Sequence, residues 1–185
     1  GDPDDRASVA SGAPPLGWGS GRVRRDDRPP SVLQRAVRGL ADDMAAIIGA
    51  RDEPEIVCIH ARTLARAKVE EATIFRGGRA RTDRLSAVVA NGIAADWLEL
   101  DEGYRLAPCH AGLYTVPALL AECEAHNATF GHLLRALVVG SEVATRVART
   151  VVPSSYCVQT AGSSAAMGAP AAVARLDGKQ PRVGV

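Results

Sequence analysis

The sequence predicts an all-α fold, a helical bundle of about six elements. Five segments space their apolar residues at helical intervals, only residues 73–75 suggest a strand, and Pro and Gly fall where such segments would begin or end. Residues 1–30 are rich in Gly, Pro, Asp and Arg without apolar periodicity, a composition that cannot offset ordering entropy by burial, so a mobile arm is expected there. The helical domain is expected over 31–178, with a short tail over 179–185.

From Ser31, read as an N-cap, Leu33, Val37, Leu40, Met44 and Ile47 recur at steps of four and three, and Gly49 marks the end of a first helix. Asp42 and Asp43 are read as part of its wet face, not as a magnesium pair. A second helix follows Pro54, a residue suited to a first turn, with Ile56, Ile59, Thr63 and Ala67 in helical register. Residues 73–75 form a short β-prone connector before Gly77 and Gly78, which lack the lysine and helix of a phosphate loop. A third helix starts at Thr82 or Asp83 and repeats Leu85, Val89, Ile93 and Trp97. Its Gly92 suggests the close approach of another helix. The fourth runs from about Leu113 to Ala125, with Pro117 implying a start near that residue or a kink. The fifth, from Asn127 or Thr129 to about Thr150, is apolar nearly all round and therefore central. Pro153 stops it, and an Ala, Ser and Gly-rich segment from Ala161 to Leu176 closes the bundle.

A chain of 185 residues with 46% hydrophobic residues can bury one core. With 22 basic and 21 acidic residues and a net charge of +1, bulk electrostatics favour neither nucleic acid nor an anionic membrane as partner. No apolar run approaches the roughly 20 residues of a membrane span, and a cytoplasmic location is expected. Cys58, Cys109, Cys123 and Cys157 are scattered, which favours free thiols, although two disulfides fit the count. The close pairs Cys58 with His60, Cys109 with His110 and Cys123 with His126 match no zinc spacing, so no metal is expected.

Three blocks carry a family resemblance. Residues 86–95 resemble the A-x-x-N-G-x-x-A-H helix of MmgE/PrpD proteins, the group containing 2-methylcitrate dehydratase and cis-aconitate decarboxylase. The acidic motif that follows in that family, D-F-D-D-T, reads Glu99-Leu100-Asp101-Glu102-Gly103 here. His110-Ala111-Gly112 followed by Pro117-Ala118 and Glu122 resembles H-P-G-x-x-x-x-P-A-x-x-A-x-A-E, and residues 133–143 resemble D-L-L-x-A-x-V-x-G-Y-E-V. The likeness spans about Ser31 to Gly178. It departs from the family at Gly103, where threonine is usual, at Glu99, where aspartate is usual, and near Tyr156, where a histidine is common. Full-length relatives continue into further helices and an α/β lid that supplies catalytic lysines. The chain thus reads as the N-terminal helical domain without the lid, being a fragment, one half of a split enzyme or a small descendant.

The resemblance implies a cofactor-independent lyase or isomerase, of dehydratase or decarboxylase type, acting on a small carboxylate-bearing substrate. The expected catalytic residues are His110, Asp101 and Glu99. Such a loop imidazole can move a proton near neutral pH, and carboxylates gathered where a helix ends can hold or relay one if buried. Asp96 and Glu102 are expected to face water, and His60, His126 and His132 to serve surface or packing. Arg105, with Tyr104 beside it, is the expected substrate-binding pair, since a planar guanidinium suits a carboxylate. The alternatives are a non-catalytic accessory subunit or a small repurposed enzyme of a specialised pathway. Self-association or a complementary subunit is expected, on the ground that a shortened bundle would leave apolar surface beside Leu133 to Val143.

Overall fold

The computed structural model describes residues 29–150 and 161–176. The expected mobile arm and the stop at Pro153 lie outside them, apart from the arm's last two residues. Six helices follow in order: α1 (Pro30–Gly49), α2 (Pro54–Ala65), α3 (Arg84–Trp97), α4 (Ala111–Ala125), α5 (Phe130–Thr150) and α6 (Ala161–Leu176). The architecture is all-α, with one small antiparallel hairpin of β1 (Ala72–Thr73) and β2 (Arg81–Thr82).

Local chemistry accounts for most boundaries. Helix α1 starts two residues earlier than an N-cap at Ser31 would place it, with Pro30 in the first turn, where a missing N–H is no loss, and Ser31 inside. Asp83 caps α3, its Oδ1 accepting from the Ser86 N–H at 2.9 Å. Thr129 Oγ1 accepts from His132 N at the start of α5. Pro117 lies inside α4, which nonetheless begins at Ala111. Gly77 and Gly78 turn the hairpin with φ of 95° and 67°, a region that only glycine enters freely.

The core is built around α4, which packs on α3, α5 and α6, while α1 lies across α3 and α5. Leu40, Val116, Leu119, Leu133, Leu134, Leu137 and Ala172 form one buried cluster, and Ile47, Ile56, Ala94, Ala95 and Leu113 another. The hairpin is pinned to α3 by buried Asn91, whose Nδ2 donates to the Thr73 carbonyl and whose Oδ1 accepts from Phe75 N. Arg81 reaches α4 through a 2.8 Å pair with Glu124.

On α5, Leu133, Leu134, Leu137 and Val143 are buried, and Val138 and Val139 are half-buried. On α3 the row of large apolar residues faces outward. Leu85 (74% exposed), Val89 (52%), Ile93 (37%) and Trp97 (40%) point outward, while Ala87, Ala90, Asn91, Ala94 and Ala95 face the core. Small residues let α3 approach α1 and α4 closely, so the spacing that marks the helix lies on its outward face.

Candidate functional site

The loop between α3 and α4 builds the site. Its base is closed by a hydrogen bond from Tyr104 N to the Cys109 carbonyl at 2.8 Å, which returns the chain so that His110 stands over the acidic segment. His110 Nδ1 lies 2.8 Å from the Glu102 carbonyl oxygen and 2.8 Å from Asp101 Oδ2. A carbonyl accepts only, so Nδ1 carries the hydrogen, and in the neutral ring Nε2 keeps its lone pair. The Asp101 side chain is 3% exposed and that of His110 27%.

Glu102 enters the site half-buried with its Oε2 shut off from solvent, against the expectation that it faces water. Its Oε1 accepts from the Gly112 N–H in the first turn of α4, where a carboxylate meets the positive end of the helix. Against it rests Asp43 of α1, also read from sequence as part of a wet face and in fact 1% exposed. Only Gly112 admits it, because a Cβ there would overlap Asp43 Oδ2. The sequence did hold the signal: Asp43 follows Leu40 by three residues and precedes Ile47 by four, which puts it on the buried stripe.

Burial, and then the Glu102 carboxylate, push the Asp43 carboxyl up from 3.8 to about 9. Burial also raises Glu102, whose hydrogen bond from Gly112 opposes the shift. The proton shared by this pair therefore rests on Asp43, which donates toward Glu102. Tyr114 is raised to about 12, chiefly by burial, and its hydroxyl is buried.

The pair opens onto a cleft of about 650 Å³ between α1, α5 and the loop. Glu102, Gly103, Tyr104 and Gly112 form one side, Leu137, Ser141 and Glu142 another, and Arg35, Arg38 and Asp43 the third. Glu142 is engaged by Arg146 of the next turn.

The structure thus brings together His110 and Asp101 of the residues singled out in sequence, and adds Glu102 and Asp43. Glu99 does not join them, standing exposed at the end of α3 with φ of 49°. Tyr104 lines the cleft, but Arg105 is exposed and outside its walls, and the guanidinium groups that line it are those of Arg35 and Arg38. Nothing in the α1 sequence marked these arginines, which sit on its polar face like any solvated pair. His60 is buried, and His126 and His132 are exposed.

Asp101, Glu102 and His110 each offer a ligand atom within 4.8 Å of the others, the set best placed to hold a divalent ion among the described residues. Its Nδ1 already faces the Glu102 carbonyl, and such acidic groupings are common without an ion. No described helix is long and apolar enough to cross a membrane.

The sequence matches the MmgE/PrpD N-terminal domain over residues 20–182. No curated protein matches it significantly.

Proposed function

Because the chain belongs to the MmgE/PrpD family, matched through its N-terminal domain, we propose that it serves a lyase reaction in which a proton is taken from carbon beside a substrate carboxylate. The observation that carries this reading is the His110–Asp101 pair at 2.8 Å, joined through Glu102, whose carbonyl faces His110 Nδ1, to a cleft bounded by unlike charges.

With Nδ1–H held by the Glu102 carbonyl, His110 offers Nε2 as the base. Asp101, within 2.8 Å and nearly buried, steadies the imidazolium that proton removal creates. Hydroxide then leaves from the adjacent carbon with its bonding electrons and is protonated to water, while the electron pair of the broken C–H bond forms the double bond; where CO2 is lost instead, the C–C pair stays on carbon, which takes a proton in its place. An anionic substrate would be repelled by the lining acids Asp42, Asp43, Glu102 and Glu142 if all were bare, but the raised Asp43 holds its proton and Glu142 is engaged by Arg146. Arg35 and Arg38 supply the attraction.

The test follows 2-methylcitrate and cis-aconitate by NMR in deuterium oxide, with the full chain and any co-expressed partner. His110→Ala should slow loss or exchange by about 10²–10⁴-fold with helicity retained, whereas His126→Ala should run as wild type. A His110→Ala protein at wild-type rate would overturn the assignment. Wild type inert toward both acids in every assembly would favour the accessory-subunit reading.

A further inference from the structure

A base is only as well placed as the group that holds it, and His110 is held by a main-chain oxygen of a loop. Residues 98–110, between α3 and α4, carry neither helix nor strand, and within them the Glu102 carbonyl lies 2.8 Å from His110 Nδ1. The Glu102 side chain supplies the stiffness that such a loop lacks. Its Oε1 accepts from the Gly112 N–H of α4, and its Oε2 is shut off from solvent with Asp43 of α1 beside it. Asp43 is 1% exposed, on the buried stripe of a 20-residue helix, and neither of its carboxyl oxygens meets an N–H or hydroxyl donor among the described residues. One proton between the two side chains satisfies both. Glu102 already accepts a hydrogen bond at the positive end of α4, which favours its ionised form, whereas Asp43 has no such donor, so the O–H belongs to Asp43.

We infer that Asp43 is a positioning residue for the base: its O–H ties the Glu102 side chain to α1, which keeps the Glu102 carbonyl on His110 Nδ1 and so holds the imidazole in one orientation. The inference rests on the lyase reading of His110 and adds to it a residue that acts only through Glu102. Asp101 does not replace this tether. It stands at the same 2.8 Å from Nδ1, but it belongs to the same loop and moves with it. Asp43 instead brings the register of α1, a helix packed on α3, α4 and α5, to the one loop residue whose carbonyl faces the base.

The test compares the full chain, with any co-expressed partner, against Asp43→Asn, Asp43→Leu and His110→Ala, using circular dichroism as a folding control and Asp43→Ala where leucine prevents folding. Asparagine keeps a donor without the charge, and should hold kcat within about threefold of wild type; leucine keeps the bulk without a donor, and should lower kcat by about 10- to 10²-fold with KM changed less than about twofold. A slowly exchanging imidazole N–H resonance that vanishes in His110→Ala reports the bond to the Glu102 carbonyl without any turnover. It should persist in Asp43→Asn and be lost to solvent exchange in Asp43→Leu. The inference is overturned by a folded donorless variant that keeps this resonance, by Asp43→Asn as slow as Asp43→Leu, by a loss carried by KM, or by a wild type that lacks the resonance. If wild type turns over neither 2-methylcitrate nor cis-aconitate, the lyase reading falls, and the resonance still decides whether Asp43 holds His110.

Discussion

Asp43 is the residue at which sequence and structure diverge most usefully. Unfolded, it titrates near 3.8, whereas in the fold it keeps its proton to about 9. Between those values the native state holds more protons than the unfolded chain, so this residue makes stability fall as pH rises and its effect levels off above about 9. An asparagine has the same shape, carries no charge and can still donate to Glu102. Asp43→Asn should therefore match wild type in thermal melts near pH 4.5 and exceed it progressively toward pH 8. A difference that does not vary with pH would mean that Asp43 is not the group holding the proton. Next to it, His110 and Asp101 were readable from an imidazole ahead of a helix and an acidic motif. Glu99 was not separable from them, because a residue's place beside a motif does not fix which way its side chain turns, and at φ 49° the chain turns it to solvent.

Among the elements, the N-terminus of α4 shows how one glycine joins two helices. Gly112 donates its N–H to Glu102 and leaves room for Asp43, so Gly112→Ala forces the carboxyl of α1 aside. A loss of about 1–3 kcal/mol is expected in urea unfolding, as for other overpacked sites. Combining it with Asp43→Ala should recover part of that loss relative to the sum of the single changes. Strict additivity would show that the two do not touch in solution. Helix α3 teaches the complementary lesson. Its ends were legible from Asp83 and the spacing of Leu85 to Trp97, but a row of large apolar residues and a row of alanines are equally helical, and which one faces inward depends on how close the neighbouring helices lie.

At the scale of the whole molecule, the large side chains on the outward row of α3 are exposed among the described residues. The site and this face lie on different parts of the bundle: the cleft uses α1, α5 and the loop into α4, and the row uses α3 alone.

By itself the sequence determined the fold class, the order and approximate limits of the helices, the turn at Gly77 and Gly78 and the family, because periodicity, caps, Pro, Gly and short motifs act within a few neighbouring residues, whereas the second strand that makes a hairpin there was not foreseen. It also named His110 and Asp101. Only the tertiary structure decided that Asp43 meets Glu102 over Gly112 and shares its proton, that Arg35 and Arg38 line the cleft in place of Arg105, and that α3 turns its large side chains outward. Each of these depends on what another helix places opposite a residue, and the burial that shifts a carboxyl or leaves an apolar row uncovered arises between elements, where local spacing carries no information.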